Sequence, residues 1–389
     1  MRYFACFVYF ACLCFALDET HLNSDITTSI DSQKGSIEAG RKRQKYDFLG
    51  EVRLSGSISE NRNDPLDQWR RTDQATVSFS QDIFRSGGII ASMDYADLWA
   101  AAEILRLRSE INGYLLTLST ALLQAAQDRL RLEQNDLSIK NSEITLLIKQ
   151  TQYQVGEADI TQLNDAIQNR NTLNRTKLDL KNTLTNRYQE IAKISWIDPE
   201  TFAVPHYPAI DENEFLQKNI KALSAKYNTK IASTQHTLTR SNYLPTIALN
   251  ASYGRQKAEN SDTADSMSYG VQITVPLSFT SFSSVEEKRA DSLKKASDER
   301  TAYLEAKKVW LQSQNTMKST EESIKILREN ILLFDSLINA TSAQVKTGSA
   351  SRFDLDMLNN SKRIDEIEIE LNKIAIEIER AKLFYAKGE

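Results

Sequence analysis

The chain has 389 residues but only three cysteines, six prolines, twelve glycines and three histidines, and each scarcity excludes something. Cys6, Cys12 and Cys14 all fall within the first sixteen residues. The remainder has no thiol, so neither a disulfide framework nor a thiolate metal site is open to it. His21, His206 and His236 are isolated, with no carboxylate at metal-ligand spacing, and are expected to be packing or surface histidines. No nucleophile stands beside a base and there is no phosphate-binding loop, so an enzyme is not expected, nor any cofactor. Beyond Ala16 no stretch approaches the roughly 18 apolar residues that a membrane helix requires; entry into a membrane would have to be by strands. Charge of one sign is lacking as well. With 48 basic against 52 acidic side chains, there is no electrostatic footprint of a nucleic-acid binder.

The opening MRYFACFVYFACLCFA is an arginine followed by an apolar run, with a polar stretch from Asp18. It reads as a signal peptide over 1–16, cut after Ala16 and too short to span a membrane. A lipidated Cys14 is the rival reading; against it, Leu13 is bulkier than the small residue such processing prefers.

Because glycine and proline are so few, long helices can run unbroken. Ile89 to Gln152 holds only Gly113 and no proline, and Ile111, Leu115, Leu118, Leu122 and Ala125 step by 4, 3, 4 and 3, a coiled-coil seam. At ~1.5 Å per residue this helix approaches about 100 Å. Ser281 to Val345 has neither breaker. Each long run ends at a glycine turn, Gln154 to Ile160 and Lys346 to Arg352, where a left-handed residue suits a helix that must stop and reverse. Shorter seams follow: Leu173, Leu180, Leu184, Tyr188, Ile191 and Ile194 up to Trp196, and Ile364 to Ala381.

Ahead of each long helix lie two alternating stretches. Val52 and Leu54 alternate with Arg53 and Ser55, and Val77, Phe79 and Ile83 with Ser78, Ser80 and Asp82. In the second half Ile247 and Leu249 alternate with Ala248 and Asn250, and Val271, Ile273, Val275 and Leu277 with Gln272 and Thr274. Period two is the pattern of strands with one apolar face. Polar loops are expected over Glu60–Asp73 and Arg255–Met267. Ser24–Tyr46 and Asn219–Asn242 read as helices preceding the hairpins. The chain is thus one unit written twice: residues 17–196 with hairpin 50–84 and tip 154–160, a proline-bearing connector 197–217, and residues 218–389 with hairpin 245–279 and tip 346–352. Each long helix needs a partner along its whole seam. That requires the two shorter helices of each half to stack end to end.

Four strands cannot close a barrel, and an open sheet edge is not tolerated in lipid, so closure needs further copies of the chain. Three copies supply twelve strands and a symmetric ring. The lipid face would carry Val52, Leu54, Val77, Phe79, Ile247, Leu249, Val271, Ile273 and Val275, with outer-membrane lipid as its partner.

The order helix, Tyr243-Leu244-Pro245-Thr246, strand, loop, Val275-Pro276-Leu277 and long helix, with tips Tyr153-Gln154-Val155-Gly156 and Val345-Lys346-Thr347-Gly348, resembles the TolC family of outer-membrane efflux proteins. The resemblance covers nearly all of the chain after Ala16. It implies a mainly α fold with a β-barrel part: a long coiled-coil α-helical barrel plus a transmembrane β-barrel of four strands per chain, in a trimeric channel-tunnel with an internal two-fold repeat. It further implies the exit duct of a tripartite efflux or type I secretion system, a homotrimer in the outer membrane reaching into the periplasm and meeting a periplasmic adaptor protein and an inner-membrane transporter. Docking would use the tip residues Val155, Gly156, Thr347 and Gly348. Asp354 matches the family's aspartate after the second tip, and threefold symmetry would make it a ring of carboxylates at a periplasmic gate. Departures are Gln81-Asp82-Ile83-Phe84, where the family usually has a proline before the apolar pair, and Ala350 and Gln162, where a gating arginine and its acid partner can occur. A secreted periplasmic coiled-coil adaptor or structural protein is the alternative reading.

Overall fold

The computed structural model describes residues 16–63, 68–259 and 262–388. The signal-peptide reading, Ala16 apart, lies outside them, as do Cys14 and Pro65. After a short 3-10 turn at Glu19–His21 the elements are α1 (Ser24–Lys45), β1 (Val52–Asn63), β2 (Gln68–Phe84), α2 (Gly88–Gln154), α3 (Ile160–Ile194), α4 (Glu212–Lys218), α5 (Ile220–Ser241), β3 (Thr246–Ala258), β4 (Ala264–Thr274), α6 (Ser281–Thr347) and α7 (Arg352–Tyr385). Both long helices have 67 residues, as the dearth of breakers foretold. No helix among the described residues is long and apolar enough to cross a membrane.

The chain divides into two compact units. The first holds residues up to Ile30, Arg108–Ile220 and the chain from Glu305 onward, and is helical apart from the connector and two isolated bridges. Here α2 has α3 on one side, through Asn135 Nδ2 to the Leu173 carbonyl (3.1 Å) and Lys177 to Asp136 (2.6 Å). On its other side is α7, through Gln127 to the Leu371 carbonyl (3.2 Å) and Arg363 to Glu133 (3.0 Å). Helix α7 in turn meets α6 through Lys362 to Asp335 (2.6 Å) and an apolar cluster of Ile324, Ile369 and Ile376. The expected seam residues Ile111, Leu115, Leu118, Leu122 and Ala125 are all buried.

The end-to-end joints are also in this unit. Leu22 bridges Ser195 and the Asn23 N–H donates to the Ile194 carbonyl (2.9 Å), setting the start of α1 on the end of α3. Asn219 bridges Lys387 and the Ile220 N–H donates to the Ala386 carbonyl (3.0 Å), setting α5 on α7 in the same way. The connector is tied down by a buried hydroxyl knot. Ser119, Tyr207 and Tyr385 bond to one another, and Tyr385 donates to the Leu17 carbonyl (3.0 Å). Burial pushes both phenols above the ordinary tyrosine range, Tyr207 the further. The Tyr207 N–H donates to Glu377 (3.0 Å), which also takes Arg380 (2.7 Å); a buried carboxylate so partnered avoids the cost of an isolated charge.

The second unit, Asp31–Leu107 with Lys221–Leu304, contains an antiparallel sheet of order β1-β2-β3-β4. Within it the N-terminal part of α2 meets α1, where Arg41 and Lys45 converge on Asp97 at 2.8 and 3.2 Å and hold its carboxyl below the usual range. It meets α5 at Tyr95–Gln235. Gly88 lies so close to Ser241 that a Cβ there would be 2.5 Å from its hydroxyl oxygen, and the Ser241 side chain would have to move to admit one.

Several expectations are corrected. The strands run on through most of the stretches read as loops: β1 reaches Asn63 and β2 starts at Gln68, β3 reaches Ala258 and β4 starts at Ala264. Polar residues there still pair, because ladder hydrogen bonds do not depend on side-chain polarity. Val275 and Leu277 lie beyond the end of β4 at Thr274, where Pro276 can donate no ladder bond. Helix α4 occupies residues read as connector, capped by Asp211. Trp196 is not a seam residue; α3 stops at Ile194, and the exposed Trp196 indole donates to the Thr20 carbonyl (3.0 Å).

Candidate functional site: a two-faced sheet and two helix tips

The sheet register puts the alternating residues on common faces. Ile247 opposes Ile273 and Leu249 opposes Val271; Val77 stands between Leu54 and Tyr253, and Phe79 between Val52 and Ala251. Eight of the nine residues expected on an apolar face therefore share one, and Val275 alone falls outside the strands. The face continues through Tyr269 and Met267, then turns charged at the Arg255–Asp265 pair (3.1 Å) and the Arg71–Asp73 pair (2.9 Å). A bulge between Asp82 and Phe84 sets Phe84, not Ile83, opposite Ile247; an extra residue in one strand reverses the alternation beyond it. Leu54, Tyr269 and Ile273 are exposed at 80%, 85% and 66%. So much apolar surface on an ordered sheet marks an interaction face.

The opposite face is mostly hydroxyls, amides and small residues, with Arg53, Arg70 and Asp82 at its charged positions. Asn250 donates to Gln272 (3.0 Å) and the Ser252 and Ser268 hydroxyls bond at 2.8 Å. Arg53, Ser78, Ser252 and Ser268 form one rung across all four strands. Strands β1 and β4 are the two edges, each paired with a strand on one side only among the described residues.

In the first unit, both tips end their long helices with one motif. Gly156 and Gly348 have φ of 80° and 76°. The Glu157 N–H reaches back to Gln152 (2.8 Å) and Gly156 to Tyr153 (3.1 Å), while Ser349 reaches Gln344 (2.9 Å) and Gly348 reaches Val345 (3.2 Å). This paired 6→1 and 5→2 pattern is the Schellman closure that a left-handed glycine permits. Val155, Gly156, Thr347 and Gly348 are all exposed.

The restarts differ. Asp159 caps α3 by accepting from the Gln162 N–H (2.8 Å), and Gln162's own amide oxygen accepts from Lys149 on α2 (3.0 Å). At the second tip Ser351 and Asp354 form a reciprocal capping box, in which Asp354 Oδ2 accepts from the Ser351 N–H (3.0 Å). Asp354 is exposed, as is Asp356. The reading of Asp354 missed this local task, although Ser351 three residues ahead of an acid is an N-terminus signal. The Ser119–Tyr207–Tyr385 knot was missed as well, since residues so far apart in sequence give no local pattern. Among the described residues there is no group of acids, histidines and cysteines placed to hold a metal ion.

Known proteins resemble the chain in sequence and in fold. The profile of the outer membrane efflux protein family matches residues 213–362. Outer membrane protein TolC of Vibrio cholerae is 22% identical over 86% of this chain and 81% of its own length. Among solved structures, the outer membrane protein VceC of Vibrio cholerae superposes with a TM-score of 0.74 at 14% identity, covering 94% of both chains. The CmeC outer membrane channel of Campylobacter jejuni gives 0.69 at 11% identity, covering 94% of this chain and 84% of its own. Matched in sequence over much of its second half and in fold over 94% of its length, the chain is similar to the outer membrane efflux proteins.

Proposed function

We propose that the protein is the outer-membrane exit duct of a tripartite efflux or type I secretion system, a passive conduit carrying small molecules or proteins from periplasm to exterior. The observation that carries the reading is the open sheet with one continuous apolar face and two unpaired edges. In lipid every backbone group must be bonded, so such a sheet is stable only when its edges meet other strands. Three copies would give a twelve-strand barrel with the apolar face toward lipid and the polar face toward the lumen. The same closure would join the long helices into a helical barrel in the periplasm, with the chain's two halves acting as repeats. A soluble adaptor has no use for this sheet.

The tips are the proposed docking rim for a periplasmic adaptor, itself bound to an inner-membrane transporter. Val155 and Thr347 flank glycines whose closures leave helix-end groups facing outward. Asp354 is the proposed gate acid, three copies of which would concentrate negative potential in a narrow lumen.

The test is fractionation combined with gene deletion. Heat-modifiable trimers in the outer membrane, with increased drug susceptibility or a depleted secreted proteome in the deletion strain, are expected; a monomer in the periplasmic fraction overturns the reading. For the gate, Asp354→Ala should reduce cation selectivity of reconstituted channels and Asp356→Ala should not, because the two lie about 200° apart on the helix.

A further inference from the structure

The polar face of the sheet carries few charges, with Arg53, Arg70 and Asp82 at its strand positions. Along β1, Arg53 is followed on that face by Ser55, Ser57 and Ser59, and the facing positions of β2, from Ser78 to Thr72, are hydroxyl or amide residues. On β3 and β4 the same face carries Asn250, Ser252, Gly254, Ser268, Gly270 and Gln272. Arg53 lies beside Glu51, with its Nε and one Nη each 3.5 Å from Glu51 Oε2. Both side chains are more than three-quarters exposed. They border a hollow of about 200 Å3 whose other walls include Ser78, Ser80, Asn250 and Ser268.

We propose that Glu51 and Arg53 are a charge-balancing pair on this wall. Resting on the reading of the sheet as one third of a closed barrel, threefold symmetry makes them adjacent rings of three carboxylates and three guanidinium groups on a lining of hydroxyls and amides that runs from Asp82, itself 3.5 Å from Arg85, to the position of Arg70. The pair cancels at long range, so the wall passes solutes of either sign and zwitterions, and its serine rung offers hydrogen bonds without preference for charge. Each member alone would impose a sign. Interactions between charges in a low-dielectric-walled channel are screened less than on an open surface, so three uncompensated charges act on whatever passes.

The natural chain has no cysteine after Cys14, which allows one reporter thiol. In whole cells producing the Ser252→Cys protein, the thiol is modified from outside with methanethiosulfonates carrying either a trimethylammonium or a sulfonate. The ratio of the two rates reads the local potential. Adding Glu51→Gln should raise the sulfonate rate relative to the ammonium rate several-fold, Arg53→Gln should shift the ratio several-fold the other way, and the double variant should return it to the starting value. A ratio unmoved by either single change overturns the charge-balancing assignment while leaving the barrel reading standing. A Ser252→Cys thiol that resists both reagents, with Leu249→Cys open to them, overturns the barrel reading instead. Trimer abundance on gels, measured for every variant, separates both results from failed assembly.

Discussion

Helices α2 and α6 are equally long, at 67 residues, yet they satisfy their apolar side chains in different ways. Helix α2 is covered by its own chain, with α3 and α7 along its C-terminal part, and buries Leu107, Ile111, Leu115, Leu118, Leu122, Leu123, Ile139 and Leu146. Helix α6 buries only Ala306, Ser313 and Ile324, and leaves Ile326, Leu332, Leu333 and Leu337 exposed. Position, not length or freedom from breakers, makes the difference: α2 is central and α6 lies at the edge of its helix layer. The sheet has the same division, since β2 and β3 are paired on both sides and β1 and β4 on one. One long helix and the two inner strands are thus covered within the chain, while the other helix and the two outer strands are left open on one side.

That contrast can be broken by substitution. Leu118 is 0% exposed, and Leu118→Ala should cost ~2–5 kcal/mol through lost contacts and a residual cavity, lowering the denaturant midpoint of the monomer and the oligomer alike. On the sheet, Leu249→Arg should cost ~2–4 kcal/mol if the residue sits near the bilayer midplane and Asn250→Arg far less; equal loss of heat-modifiable oligomer in the two would contradict the assignment of faces. Leu332 and Leu333 are 69% and 63% exposed. Replacing either by Asp should leave helical circular dichroism unchanged but remove up to ~1.5–3 kcal/mol of association, seen as monomer on native gels. If Leu118→Ala and Leu332→Ala destabilise the isolated chain equally, the division between covered and open helices is wrong.

The smallest effect concerns Asp365, whose carboxyl is pushed above the ordinary range by burial first and then by nearby Glu368. A carboxyl with a raised native pKa disfavours folding when ionised, and the penalty is relieved as pH falls through that pKa. Asp365→Asn should therefore raise the melting temperature slightly at neutral pH and make no difference in acid.

Most of the architecture was legible because helical seams and strand alternation are local signals. Gly156 and Gly348 announced the reversals, and the seam from Ile111 to Ala125 was read residue by residue. Strand lengths were not legible, since Glu60–Asn63 and Gln68–Asp73 look like loop to any rule based on side chains, while pairing uses the backbone. The bulge at Ile83 was hidden for the same reason. At the candidate site, alternation revealed the two faces of the sheet, but the capping role of Asp354 competed with a more conspicuous one. The Tyr207–Tyr385 contact joins residues 178 apart, beyond the reach of any periodicity.

The joints between stacked helices also bear on how the chain reaches its native state. The bond from Asn23 to Ile194 and that from Ile220 to Ala386 each close a loop of well over a hundred residues. The entropy of closing a loop rises only logarithmically with its length, yet the search for such distant contacts is slow. Neither joint can form before the last residues of its half have been synthesised. Each half can thus be closed at its joint only once it is complete, whereas α2 and α3, separated by a short turn, can pair earlier.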